Sequence, residues 1–284
     1  MTASCTAPPQ PAIRQVVSER VTLVMCLYNQ LALTRACLAS LRETTEPFGL
    51  VVIDNGSTDG TREFLQRFEA PYPLWIISSE SNASVIASLN RAWQTAETEF
   101  LCLLHNDTEL LEPEWLARLL RSLAEPGVGL AGLYGAKRIR KDGRFVGRTI
   151  VHSLASGPTV RSPWEEVAVV DGVCLCLPRA VMESIGGLDE GYGFFHGYDK
   201  DLSLADREMG RRCVVVHAPF LHRGGGTRAR EFGANPEQAH RDVALRDAVT
   251  NRFVAKWGHR LPCDVRPRPR RIRDWIAARL LAAR

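Results

Sequence analysis

The feature that most constrains this chain is a repeated pattern: short apolar runs of strand length, each closing on a knot of polar side chains and followed by helical periodicity. Val21-Thr-Leu-Val-Met-Cys-Leu27 ends at Tyr28-Asn29, Leu50-Val-Val-Ile-Asp54 opens into Asn55-Gly-Ser-Thr-Asp-Gly60, and Phe100-Leu-Cys-Leu-Leu104 runs into His105-Asn-Asp107. Between the first two runs, apolar residues at 31, 33, 37, 38 and 41 keep close to helical spacing, which predicts a helix over Leu31–Leu41. Strand, helix and strand in so short a span require a right-handed crossover, and therefore a parallel sheet in an α/β fold. Open sheets of this kind bind ligands beyond the carboxyl ends of their strands, which is where Asp54 and Asp107 stand. For Asp107 two readings follow: a cap for the helix opening at Glu112-Pro-Glu114, or a ligand for a cation that holds an anionic substrate.

Further elements follow from the same periodicities. Strands are predicted at 74–77 and 128–134, with helices at 61–68, 82–96 and 114–123. Residues 135–165 mix charge, Gly and Pro and predict hairpins and a mobile loop. A strand over Val167–Leu177 is interrupted at Asp171-Gly172, and a short helix is predicted at Arg179–Ile185. The glycines and aromatics of 186–201 suggest close backbone approach to a ligand ahead of a helix over Leu202–Met209. A last strand over Cys213–His217 precedes a flexible turn carrying His222.

A chain of 284 residues, 45% hydrophobic and 24% charged, can bury a sizeable core. Its eight cysteines form no CxxC pair and lie mostly in apolar runs, the usage of reduced, buried thiols, so a cytoplasmic protein without disulfides or structural zinc is expected. No segment approaches the ~18 apolar residues of a membrane span. The net charge of +4 is a property of the tail, since residues 266–284 hold seven arginines against Asp274 alone. Ile272, Trp275, Ile276 and Leu280 at helical spacing there predict a basic amphipathic helix, suited to contact with an anionic membrane surface, which would be the inner face, or with its own domain or a dimer partner. The Arg cluster lacks interleaved aromatics, so nucleic acid is not expected as a partner.

Taken in order, Leu27-Tyr-Asn29, Val52-Ile-Asp-Asn-Gly-Ser-Thr-Asp-Gly60, Asn82 with Asn90, His105-Asn-Asp-Thr-Glu109, Asp171-Gly172, Gly186-Gly-Leu-Asp189, Asp199-Lys-Asp201 and His222 resemble the family 2 glycosyltransferases of GT-A fold, with the bacterial rhamnosyltransferase-like branch nearest. The resemblance spans roughly 21–227 and implies a Rossmann-like, mostly parallel sheet flanked by helices, with a smaller acceptor-side region. On that basis the chain divides into an arm (1–20), a nucleotide-sugar-binding half (21–134), an acceptor-binding and catalytic half (135–262) and a basic tail (263–284).

The resemblance also implies roles. Asp54 would accept from the base of a nucleotide-sugar, UDP or dTDP being favoured, with Leu27, Tyr28, Asn29, Asn55, Asn82, Asn90 and Asn106 around the nucleotide. Asp107, as the last residue of the DxD motif, and His222 would hold Mn²⁺ or Mg²⁺ against the diphosphate. Asp199, with Asp201 as second choice, would be the base, while Asp171, Gly172, Trp164, His196 and Tyr198 would face the sugar or a glycan or lipid-linked acceptor. Two positions depart from the pattern: His105 replaces the first Asp of DxD, and Tyr198 replaces the Glu that precedes the base. The rivals are a sugar nucleotidyltransferase, a dinucleotide-dependent oxidoreductase and a catalytically silent binder of nucleotide-sugar or glycan. The first two should carry a Gly-rich phosphate loop after the first strand, where this chain has Tyr28-Asn-Gln-Leu31.

Overall fold

In a computed structural model, which describes residues 20–224, 236–267, 272, 273 and 275, the apolar runs become strands with helices between them. The first half runs β1 (Val21–Leu27), α1 (Leu31–Leu41), β2 (Gly49–Asp54), α2 (Thr61–Arg67), β3 (Leu74–Ser78), α3 (Val85–Trp93), β4 (Phe100–Leu104), β5 (Thr108–Leu110), α4 (Trp115–Leu123) and β6 (Val128–Gly132). There follow β7 (Tyr134–Ala136), β8 (Arg138–Ile139), β9 (Ile150–His152), β10 (Trp164–Val167), β11 (Val169–Val170), β12 (Cys174–Pro178), α5 (Arg179–Ile185), α6 (Tyr198–Glu208), β13 (Arg212–Val216) and β14 (Phe220–His222). A long helix, Pro236–Trp257, and β15 (Cys263–Asp264) complete the described elements.

Among the described residues, eight strands form the central sheet in the order β10-β13-β6-β12-β4-β1-β2-β3. β3, β2, β1 and β4 are mutually parallel, β12 inserts antiparallel between β4 and β6, and β10 closes one edge antiparallel to β13. The sheet is thus mostly parallel, as expected. β1, β2 and β4 are buried almost throughout, because helices cover both faces and leave no side of these strands to water. One core includes Val24, Ile53, Leu103, Leu175 and Leu202; the other, on the opposite face, includes Leu23, Leu38, Cys102, Trp115 and Phe220. Strands from either side of the 134/135 boundary share this sheet, and Tyr134 and Gly135 lie in the same strand, β7.

Two differences from the predicted elements bear on function. Helix α6 begins at Tyr198 rather than Leu202, after Gly197 turns the chain with φ at 89°. Its first turn therefore contains Tyr198, Asp199 and Asp201. His222 is not in a free turn: it ends β14, which pairs antiparallel with β5 so that His222 stands opposite Thr108. The arm 1–19 and most of the basic tail lie outside the described residues; of the tail's apolar positions, Ile272 and Trp275 are described and exposed.

Candidate active site

The loops after β1, β2, β3 and β4 meet at the carboxyl edge of the parallel strands, and polar side chains tie them together. The Asn29 N–H donates to Ser57 Oγ and the Thr58 N–H donates to Asn29 Oδ1, each at 2.8 Å. Asn29 and Gln30 hold φ at 54° and 64°, left-handed conformations costing non-glycine residues about 1–3 kcal/mol each, so these cross-links maintain a strained turn. Asn55, fully buried, donates to Asn82 Oδ1 at 3.0 Å and to the Ala83 carbonyl at 2.8 Å, joining the second loop to the third. Asn106 donates to Thr34 Oγ1 at 3.0 Å, which fixes the fourth loop to α1, and Leu27 contributes its carbonyl to the Asn55 N–H.

Two of the expected nucleotide contacts take a different form. Asp54 is fully buried; Oδ1 accepts from the Ser57 N–H at 2.9 Å and Oδ2 from Arg62 Nε at 2.7 Å. A carboxylate so enclosed does not face a base, and the group beside it that reaches the surface is the Arg62 guanidinium, with its side chain 34% exposed. Only a cation in the first turn after the Asp54 loop hinted at Arg62 in the sequence. Asn90 likewise uses its full capacity inside the protein: it donates to the Leu188 carbonyl and Glu190 Oε1 and accepts from Trp93 Nε1 and the Leu188 N–H. It fastens α3 to the 186–190 loop.

The β5–β14 ribbon brings a second group together. His222 Nε2 lies 3.3 Å from Asp107 Oδ1, and His105 Nδ1 lies 3.9 Å from the same oxygen. One ligand atom from each of the three residues falls within 4.8 Å of the others. Asp107 Oδ1 is buried, makes no well-formed hydrogen bond and has the two imidazoles as its close polar neighbours, a setting in which a bound cation would complete its partners. Donors around a first-row dication at about 2.1 Å stand about 3 Å apart when adjacent and about 4 Å apart when opposite, so the 3.3 Å between Asp107 and His222 matches adjacent donors and the 3.9 Å to His105 Nδ1 lies at the long end of the range. Burial pushes the His222 pKa down, but Asp107 outweighs it and the net shift is upward. Burial outweighs the Asp107 charge at His105, whose pKa falls, and Asp107, despite burial, is lowered by the two histidines.

Beside this cluster lie two carboxylates. Asp199 Oδ2 accepts from the Gly172 N–H at 3.3 Å, and Asp171 Oδ1 accepts from the Val173 N–H at 3.1 Å. Burial raises the pKa of both, and the Asp171 charge raises Asp199 further. Asp201 is in a different position: buried, it accepts from Trp257 Nε1 at 2.7 Å, Tyr192 Oη at 2.8 Å and Lys256 Nζ at 2.9 Å. Its oxygens serve the packing of the long helix against α6. Tyr198, in the first turn of α6, sets its hydroxyl 3.1 Å from His105 Nε2. His196 precedes α6 with its ring against Phe195. Trp164 is not brought to the cluster: it lies on the edge strand β10 under the Arg212 guanidinium, four strand spacings or about 19 Å from β4.

The sequence profile of "Glycosyl transferase family 2" matches residues 22–183, more than half of the chain, from the second residue of β1 through β4 and the Asp107 loop. The chain belongs to glycosyltransferase family 2. Among curated relatives of this family 2 chain, it is 28% identical over 244 residues to the O-antigen biosynthesis protein RfbC of Myxococcus xanthus, covering 78% of this chain and 19% of that protein. It is 26% identical over 231 residues to the uncharacterized protein y4gI of Sinorhizobium fredii, covering 74% of this chain and 25% of that protein. The chain thus spans a quarter or less of the length of these relatives. Among solved structures, the mannosyltransferase PcManGT of Pyrobaculum calidifontis, in complex with GDP-Man and Mn²⁺, superposes with a TM-score of 0.56 at 18% identity, over 92% of this chain and 80% of that one. Residues 1–349 of S. aureus TarS, in complex with UDP-GlcNAc, give 0.55 at 16% identity, over 84% and 72%. The fold of this glycosyltransferase is GT-A, and no helix among its described residues is long and apolar enough to cross a membrane.

Proposed function

We propose that this family 2 glycosyltransferase is a metal-dependent, inverting enzyme that moves a hexosyl or deoxyhexosyl group from a nucleoside-diphosphate sugar to a hydroxyl of a glycan or lipid-linked acceptor. The observation that carries the reading is the buried Asp107 oxygen 3.3 Å from His222 Nε2 and 3.9 Å from His105 Nδ1 at the ligand-binding edge of the sheet. Asp107 and His222 would hold Mn²⁺ or Mg²⁺, which when bound supplies the Lewis acid that stabilises a departing nucleoside diphosphate. The loops of Tyr28-Asn29, Asn55 and Asn82 position the nucleotide, Asp54 acting through the loop and the Arg62 side chain that it anchors.

Asp199 takes the proton of the acceptor hydroxyl as it attacks the anomeric carbon from the face opposite the leaving group. It is a better base than Asp201, whose oxygens are already committed to Trp257, Tyr192 and Lys256. Its pKa, raised by burial first and by the Asp171 charge second, makes it a stronger proton acceptor than an ordinary aspartate. Asp171, with the Gly172 backbone, borders the same space and suits a sugar hydroxyl. The name of the Myxococcus relative, an O-antigen biosynthesis protein, supports a cell-surface polysaccharide as product. The basic residues of 266–284 would keep the enzyme, taken as cytoplasmic, near a lipid-linked acceptor at the inner face of the membrane, or else seat a second copy. Liposome pelleting of the full chain, equal with and without these residues, would remove the membrane option.

The base of the donor is chosen by a thermal-shift screen of UDP, dTDP, GDP and CMP with Mn²⁺, since only a nucleotide that fits stabilises the folded chain. With that nucleotide, Asp107→Ala and Asp199→Ala should each lower transfer by about 10²–10³-fold or more. Only Asp107→Ala should weaken nucleotide binding. Calorimetric binding indifferent both to EDTA and to Asp107→Ala would overturn the metal assignment. Metal-dependent donor hydrolysis in the wild type separates an enzyme from a silent binder.

A further inference from the structure

The two positions at which this chain departs from the family's motifs touch each other. His105 stands where the first Asp of DxD is expected and Tyr198 where a Glu precedes the base, and His105 Nε2 lies 3.1 Å from Tyr198 Oη. The opposite ring nitrogen, Nδ1, is the one turned toward Asp107, at 3.9 Å from Oδ1. Tyr198 is itself buried, with its ring packed in the core, so its hydroxyl is held in place rather than free to swing.

A third residue makes room for the pair. A Cβ at Gly172 would stand 2.5 Å from Tyr198 Oη, 3.1 Å from its Cζ and 3.4 Å from His105 Nε2. The first distance is well inside contact, so any side chain at 172 would push the tyrosine hydroxyl off the imidazole. The substitution of Asp by His, the tyrosine at 198 and the glycine at 172 are therefore parts of one arrangement.

We propose that His105 is a third protein ligand of the cation, binding through Nδ1 while the Tyr198 hydroxyl oxygen accepts a hydrogen bond from Nε2–H and so orients the ring. An imidazole that ligates through one nitrogen characteristically donates its other N–H to an oxygen, which fixes both tautomer and orientation. With Nε2–H donated to Tyr198, Nδ1 carries the lone pair, and that atom lies 3.9 Å from Asp107 Oδ1 on the side of the ring opposite Tyr198. The donor set is then two imidazoles and one carboxylate. Mg²⁺ favours oxygen ligands and retains its waters, whereas imidazole suits first-row transition dications. The chain accordingly selects Mn²⁺, Co²⁺ or Zn²⁺ over Mg²⁺. His105 thus changes the cation chosen rather than merely removing a ligand. Tyr198 is a positioning residue, acting on the metal through His105.

This inference rests on the reading that Asp107 and His222 hold the cation, and the test keeps the two apart. The full chain is titrated with Mn²⁺ alone, free ion being read by electron paramagnetic resonance, and Mg²⁺ is then added as competitor. Wild type should bind Mn²⁺ and resist displacement by Mg²⁺. Tyr198→Phe, which keeps the buried ring, should weaken Mn²⁺ binding by about 10-fold or more. His105→Ala should weaken it at least as much, and His105→Asp should shift the Mn²⁺/Mg²⁺ affinity ratio toward Mg²⁺ by about 10-fold or more. Tyr198→Phe should add nothing in the His105→Ala background, a non-additivity that a purely structural tyrosine would not show. Wild-type Mn²⁺ affinity in both His105→Ala and Tyr198→Phe, with binding lost in Asp107→Asn, overturns the proposal but leaves the cation site standing. Mn²⁺ binding unchanged in Asp107→Asn, or absent from the wild type, overturns both.

Discussion

Asp199 and Asp201 share the first turn of one helix and carry opposite obligations. Asp201 is buried among three donors, so Asp201→Ala strips the acceptor from Trp257, Tyr192 and Lys256 together and should cost about 3–5 kcal/mol, read as a large fall in Tm. Asp199 carries a raised pKa, from burial first and from Asp171 second. A carboxyl raised in the folded state contributes stability below its unfolded pKa and loses it as pH rises through the folded value. Asp199→Asn should therefore leave the fold as stable as wild type or more so at pH 7, by roughly 2–4 °C per kcal/mol recovered, while abolishing transfer. In the wild type, the acid limb of kcat/KM should have its midpoint above the ordinary aspartate value, since the base must be ionised; Asp171→Asn should move it down by removing the like charge. A midpoint unmoved by Asp171→Asn would count against Asp199 as the base. The resemblance favours Asp199 over Asp201, but the residues themselves do not say why, because two of the three donors that occupy Asp201, Lys256 and Trp257, come from a helix more than fifty residues further on. The hydrogen bonds of Asp54 and Asn90 are hidden from the sequence for the same reason: their partners Arg62, Leu188 and Glu190 are brought to them by the fold.

At the scale of elements, β1, α1, β4 and α5 match the sequence expectation closely, since each is bounded by a change of period or by Gly, Pro and polar clusters. The β5–β14 ribbon is not legible in the same way. Its strands are three residues each, too short for a periodic signal, and their pairing joins distant parts of the chain. Helix Pro236–Trp257 is obscured by a mostly polar sequence; what docks it is Val249, Phe253 and Trp257, one turn apart, against the core that includes Leu175 and Leu202. The ribbon matters most for function, because it alone sets Asp107 beside His222. Phe220, fully buried in β14, anchors it, its amide donating to the Ser153 carbonyl at 3.2 Å. Phe220→Ala should cost about 3–5 kcal/mol of stability. It should also weaken Mn²⁺ binding although no ligand is altered, because the ribbon that holds Asp107 and His222 in register is loosened. Unchanged Mn²⁺ affinity in a folded Phe220→Ala protein would show that the ligands are positioned independently of β14.

For the molecule as a whole, the question is whether the nucleotide side and the acceptor side behave as two bodies or one. Both cores cross the division at 134/135: Val24 and Leu103 pack in one cluster with Leu175, Leu202 and Phe253, and Leu23 and Leu38 in the other with Val214 and Phe220. β12 inserts between β4 and β6, so the sheet cannot be parted there without breaking ladders on both sides. The long helix is fastened to the same body by Arg252 and Lys256 on Asp189 and by Trp257 on Asp201. Scanning calorimetry should therefore show one cooperative transition. Because a ligand that binds only the folded chain stabilises all of it, Mn²⁺ with the nucleotide chosen by the screen should move that single transition upward, by about 2.7 kcal/mol at a concentration of 100 times Kd. Asp107→Asn should keep the single transition and lose the shift. Trp257→Phe should lower the transition by about 1–3 kcal/mol, leaving Asp201 short of a donor, and should keep the shift, because the clamp lies away from the ligands it stabilises. Two resolved transitions, only one responding to ligand, would mean that the shared sheet does not couple donor and acceptor sides and that closure between them, rather than a rigid cleft, brings Asp199 to the sugar.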